Sequence, residues 1–240
     1  AASSAAPQIH RVPTAVTIIQ TRLRLGSPEV VSAAECITLG GHTGTHIDAL
    51  CPFSKGLKLH GGVDVAQSFT GGVEHGSVDT IQPILRRGVL LDVARNARTD
   101  ILPADFVIGA DTLQATARAQ AVEAREGDVV LVRTGWGRYW DNPKRYINEV
   151  RSPGVNLDAA EWLSALGVFA GGSDTIAFEV VPSKSMSVHV HLLVESGIHI
   201  IEALDLEGLS RDERWEFVFV AVPMKIVGGT GSPIRPIALV

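Results

Sequence analysis

Apolar residues along the chain gather into short runs separated by polar and glycine-rich stretches. Gly88 to Val93, Asp128 to Arg133, Ile198 to Ala203 and Glu216 to Val222 are rich in Val, Ile, Leu or Phe and predict largely buried strands. Helices are expected over Asp111 to Arg125, where Asp111 can cap and Gln114 can reach back, and over Leu157 to Leu166, which Gly167 ends. A third covers Val188 to Ser196, stopped by Gly197. Strands and helices alternate with no repeat period, low-complexity block or long linker, so one mixed α/β domain over residues 1–240 is expected. Loops full of Gly and Pro, at Gly40 to Gly61 and Gly228 to Pro233, connect these elements and are where a site should sit.

Composition narrows the class. At 45% apolar and 20% charged over 240 residues the chain can bury a sizeable core, which excludes disorder, collagen-like repeats and coiled coil. Lys plus Arg number 21 against 26 Asp plus Glu, a net charge of -5, so no basic excess exists to neutralise phosphates and no nucleic-acid partner is expected. The longest apolar runs, such as Phe217 to Pro223, fall well short of the roughly 18 residues that span a bilayer, and no membrane association is expected. Ala1 to Pro7 has neither the charged nor the apolar region of a signal peptide, which leaves the cytoplasm as the expected compartment. Cys36 and Cys51 lack the spacing of a zinc ribbon or redox pair and are expected to be buried thiols.

The informative stretch runs from Gly40 to Leu50, with His42, His46 and Asp48 as metal-ligand types. A helix would turn Asp48 about 200° round from His46, and the Gly and Thr content disfavours helix. On a strand His46 and Asp48 share a face about 7 Å apart, while His42 would lie about 20 Å from Asp48. The chain must therefore bend near Gly44, which tolerates the backbone conformations that a bend needs. Three protein ligands would leave positions open for water and substrate, as in hydrolytic metal centres. The alternative is a loop with two surface histidines and a capping Asp.

A second cluster, His189, His191 and then Glu202, offers further ligands. On a helix His189 and His191 point in different directions, so at most one faces a metal. The alternative is a surface His and a solvated strand-end carboxylate.

With these residues in view the sequence resembles the cyclase-like metal-dependent hydrolases, which include bacterial kynurenine formamidase, isatin hydrolase and trans-dienelactone hydrolase. Their His-x-Gly-Thr-His-x-Asp signature reads here, without a gap, as His42 to Asp48. Supporting similarity comes from Arg133 to Trp136, Gly172 to Thr175, Val188-His189 through Gly197-Ile198 to Glu202, and Gly228 to Pro233. The resemblance implies a swivelling β/β/α fold, a compact β-barrel-like core flanked by helices, in a homodimer or homotetramer. It also implies zinc or manganese held by His42, His46 and Asp48. In two-metal members Asp48 would bridge, and His189 and Glu202 best match the remaining ligands, with His191 as an alternative.

One departure from the signature matters. A third His, used in acid/base catalysis, ordinarily stands four residues after the Asp, and here that position is Pro52. Proline cannot transfer a proton. His60 is a candidate substitute if the loop after Pro52 folds back, and Glu202 is another if it is not a ligand. The resulting expectation is a metal-dependent hydrolase or cyclase acting on a small cyclic or aromatic substrate: a cyclic amide, a lactone or an aryl formamide. The alternative is a degenerate member that binds a metal or small ligand without turnover.

Other residues have smaller parts. Phe53, Trp136, Tyr139 and Trp140 could wall a substrate pocket or pack in the core. His10, His75 and His199 have no partner at ligand spacing and are expected to be structural; Asp174 and Glu179 could support site residues from behind, with loop capping the safer reading. No Gly-rich phosphate loop and no GxSxG elbow is present, which argues against nucleotide binding and serine hydrolysis.

Overall fold

The computed structural model describes residues 15–17, 23–24, 31–32, 36–67, 72–148 and 151–240. The expectations for His10 and the Cys36 thiol fall outside what it describes. Eight strands form one curled half-barrel sheet flanked by helices, the mixed α/β architecture expected of the chain. In chain order they are β1 (His46–Asp48), β2 (Ile84–Asp92), β3 (Val129–Arg133), β4 (Ala170–Ser173), β5 (His199–Glu202), β6 (Glu216–Ala221), β7 (Gly231–Pro233) and β8 (Ile237–Leu239). Their order across the sheet is β7-β1-β5-β4-β3-β2-β6-β8. The four central strands, β5-β4-β3-β2, run parallel, and the outer strands join them antiparallel.

Strand alternation divides the interior in two. Val89, Leu91, Val130, Val132 and Ile200 face the helices α1 (Ala110–Gln120) and α2 (Leu157–Ala165), against Leu113, Ala160 and Leu163. Their neighbours Leu90, Val129, Leu131 and Ile201 face the inside of the curl, with Ile47, Phe217 and Phe219. Both faces of β3 are covered, which is why all five of its residues are buried and its sequence reads as an unbroken apolar run.

Element boundaries differ from expectation for identifiable reasons. Strand β2 begins at Ile84 rather than Gly88, because Leu85, Arg86 and Arg87 pair with β6 although they are polar or exposed. It ends at Asp92, whose carboxylate accepts from the Arg95 N–H at 3.0 Å and caps a short helix at Val93–Asn96. Helix α1 stops at Gln120 instead of Arg125: Ala121 is left-handed, and the Arg125 N–H is taken by the Asp128 carboxylate at 2.8 Å. Asp111 does not cap α1. Gly109 holds the cap position, and Asp158 in the first turn of α2 accepts from the Ala110 N–H at 2.8 Å. The expected helix at Val188 to Ser196 is one α turn at Ser187–His189 followed by a π-helix at Val190–Ser196, with Gly197 left-handed at its end. Gly231 to Pro233, expected as loop, is the edge strand β7.

Candidate metal centre

Strand β1 carries two of the predicted ligands. His46 and Asp48 lie on one face of it, both buried, as a two-residue repeat requires. Gly44 has φ +65°, and the turn there brings His42 back beside them. One donor atom from each of His42, His46 and Asp48 lies within 4.8 Å of the others. Strand β5 pairs with β1 so that Glu202 stands opposite His46, which places its carboxylate on the same face. Glu202 Oε2 is 3.3 Å from His46 Nε2, and its Oε1 is 3.1 Å from His189 Nε2. The structure therefore brings together all five residues singled out as ligands.

The rings are oriented by groups behind them. His46 Nδ1 hydrogen-bonds the Gly44 carbonyl at 2.9 Å, which turns Nε2 towards Asp48 and Glu202. His42 Nε2 meets the Thr230 hydroxyl at 2.9 Å, leaving Nδ1 2.7 Å from Asp48 Oδ1. Gly231 lets that ring approach: a Cβ there would lie 2.7 Å from His42 Cε1. His199 Nδ1 hydrogen-bonds the Asp48 carbonyl at 2.9 Å, so this histidine has the structural part expected of it.

Charge is concentrated here. Burial opposes protonation of His46, yet Glu202, Asp48 and the Gly44 carbonyl together raise its pKa to about 9. Burial likewise opposes protonation of His189, but Glu179 and Glu202 raise it to about 10. Burial would push Glu202 up, and the two imidazoles instead hold it well below the usual carboxylate range. Imidazole nitrogens and carboxylate oxygens at these separations suit a divalent ion, since tetrahedral ligand atoms at zinc lie about 3.3–3.4 Å apart. The donor set fits such an ion, and neutral His with carboxylate suits several of them.

A cavity of about 260 Å³ opens over the cluster. His42, Asp48, His189 and Glu202 are on its polar side, and Pro52, Phe53, Ile176, Ala177 and Met186 form an apolar wall.

Several expected site residues lie elsewhere. His60 is not in the cavity lining; its Nδ1 bonds the Val194 carbonyl at 3.0 Å and its ring lies against Gly197. His191 is turned away, to Glu195 and to the Ser164 hydroxyl. Of the four aromatics only Phe53 reaches the cavity, while Trp136, Tyr139 and Trp140 pack with Tyr146 in a separate cluster. Asp174 caps a loop as expected, accepting from the Thr134 N–H and hydroxyl at 2.9 and 2.7 Å. Glu179 does not cap a loop: it pairs with His189, Oε2 to Nδ1 at 2.6 Å. This is the supporting role weighed for it, but the sequence could not name its partner, because the contact depends on where the turn after Phe178 meets the α turn at Ser187–His189.

Comparison with known proteins gives the family and the fold. Residues 5–180 match the family described as "Putative cyclase". Isatin hydrolase of Roseibium aggregatum is 27% identical over 210 residues, covering 85% of this chain and 73% of that protein. Kynurenine formamidase of Geobacillus thermodenitrificans is 27% identical over 200 residues, covering 83% and 76%. Among solved structures, a cyclase superposes with a TM-score of 0.88 at 27% identity, covering 99% of this chain and 83% of that one. An isatin hydrolase bound to the product analogue thioisatinate shares the fold, with a TM-score of 0.75 at 24% identity, covering 98% and 87%.

Proposed function

From a chain that belongs to the cyclase family, we propose a metal-dependent hydrolase that opens a small cyclic amide or lactone, or cleaves an aryl formamide, by adding water. The observation that carries this reading is the convergence of His42, Asp48, His189 and Glu202 at one cavity, with His46 buried against Asp48 and Glu202. A divalent ion bound there, zinc or manganese, supplies Lewis acidity for the carbonyl and acidifies water.

The chain's own residues do the rest. His42, His46 and Asp48 would hold the ion, with His189 as a further donor, and Glu202, as the proton carrier, is then not counted among the ligands. Pro52, Phe53, Ile176, Ala177 and Met186 receive the flat apolar body of the substrate and exclude water around it. Water adds to the carbonyl carbon, the C–N or C–O bond breaks, and the proton lost by water is delivered to the departing nitrogen or oxygen. Glu202 carries that proton on Oε2, while the Phe178 N–H, donating to Oε1 at 2.8 Å, keeps the carboxylate in place. His60 has no part in it. Ring closure is the same path reversed, and a homodimer or homotetramer is the assembly proposed.

The specific observation favouring the second reading, a member that binds without turnover, is Pro52 at the cavity wall where an acid/base His would stand. The experiment that decides is hydrolysis of isatin, lactones and aryl formamides by the zinc- or manganese-loaded protein and by His46→Ala. Turnover in the wild type, lost in the variant, is expected. Metal uptake with no turnover of any of these substrates favours the binding reading.

A further inference from the structure

His189 is held from several sides. Its Nδ1 is 2.6 Å from Glu179 Oε2, its backbone N–H donates to the same oxygen at 3.2 Å, and the Phe53 ring tilts against it with centroids 5.0 Å apart. The nitrogen left over, Nε2, is the one that meets Glu202. Glu179 is itself 2% exposed and is absent from the cavity lining, so it acts from behind the ring. Burial would raise its pKa; bonds from His189 and Ser183 hold it below the ordinary carboxylate value instead.

The backbone that presents Glu179 is anchored away from the site. The Val155 N–H donates to the Phe178 carbonyl at 3.0 Å, and the Val180 N–H donates to the Val155 carbonyl at 3.1 Å. Gly154 leaves room for this close packing, since a Cβ there would lie 2.4 Å from the Glu179 carbonyl carbon. Phe178, one residue earlier, donates its N–H to Glu202. One two-residue segment thus touches both His189 and Glu202, the pair contributed by the second half of the chain.

We propose that Glu179 is a positioning residue: by accepting from Nδ1–H of His189 it fixes the ring so that Nε2 is presented to the metal centre. This rests on the reading of His189 as a ligand. An imidazole without such a partner can rotate about its Cβ–Cγ bond and offer either nitrogen, and loss of the group behind a ligating His typically weakens metal binding about 10–100-fold.

The test is a zinc titration of the metal-free protein against a chromophoric chelator, which does not depend on turnover. The binding step that contains His189 is the one that His189→Ala removes. Glu179→Ala is expected to weaken that step about 10–100-fold, and Glu179→Gln, whose amide oxygen still accepts, to recover at least part of the loss. In the His189→Ala background, Glu179→Ala is expected to change the remaining binding by less than about threefold, because residues acting through one another do not add. Wild-type affinity in Glu179→Ala overturns the proposal, as does an undiminished loss in the His189→Ala background. If Glu179→Ala fails to fold, Glu179→Gln with and without His189→Ala makes the same comparison: coupling to His189 supports the proposal and additivity overturns it. A titration in which His189→Ala removes nothing overturns the ligand reading beneath it, whereas a step that Glu179 substitutions leave untouched overturns this inference alone.

Discussion

His46 and Glu202 face each other across an antiparallel strand pair, with Nε2 3.3 Å from Oε2 in a setting where both side chains are almost wholly buried. The register of β1 against β5 joins a motif near the start of the chain to a carboxylate 156 residues later, counting 202 − 46. Glu202 then touches His189 as well, so it is the side chain that unites the two halves of the site.

Glu202→Gln keeps the shape of this residue and removes its charge and basicity. The expected outcome is a fall in kcat of about 100-fold or more, the ordinary share of general acid/base catalysis. Steady-state kinetics on the metal-loaded variant, with metal content measured on the same sample, checks it. A rate within threefold of wild type would remove Glu202 from proton transfer.

His60→Ala separates the sequence's other candidate base from the structure's account. The ring sits between the Val194 carbonyl and Gly197, outside the cavity lining. Loss of about 1 kcal/mol of stability is expected, the usual worth of one hydrogen bond, with kcat retained within about threefold. Thermal unfolding and kinetics together read it, and a kcat loss of 100-fold would return His60 to the reaction.

Pro52→His restores a titratable group at the cavity wall. If Glu202 already carries the proton, the gain in kcat is less than about threefold. A protein that is inactive as found and acquires hydrolysis with this one substitution would establish the non-catalytic reading instead.

Acid stability follows from Glu207. Burial would raise its carboxyl, but the Arg133 and Arg138 guanidiniums hold it below the ordinary value of 4.5. Because the folded pKa lies below the unfolded one, the folded state binds fewer protons in that interval. The stabilisation is present above about pH 4.5 and is lost as pH falls through the folded value. Glu207→Gln is expected to lower stability by about 1–2 kcal/mol at pH 7, as for a hydrogen bond to a charged group, and by less at pH 3. Denaturant unfolding at the two pH values checks the sign; an equal loss at both would contradict it.

Legibility in the sequence tracked locality. His42, His46 and Asp48 could be placed together because six residues of chain and one glycine turn set their geometry. His189, His191 and Glu202 stood out as possible ligands, but choosing His189 and joining it to the first motif needed family resemblance, since strand register is a property of the whole sheet. Glu179 could be named as a supporting group, but not its partner His189, because that contact is made by a turn held on Val155. The π-helix escaped because its side chains do not follow a 3.6-residue period. Strand β7 read as a loop from its Gly and Pro content, although an edge strand tolerates both. Of the two readings open for the aromatic residues, Trp136, Tyr139 and Trp140 take core packing, large enough to build a cluster of their own with Tyr146, and Phe53 takes the pocket wall.

The measurement closest to the central claim is elemental analysis of zinc and manganese per chain, in the wild type after loading and in Asp48→Ala treated identically. The account predicts at least one divalent ion per chain in the wild type and loss of it in the variant, with both proteins folded by circular dichroism. A wild-type chain that takes up neither ion, or an Asp48→Ala chain that keeps its full complement, would contradict it.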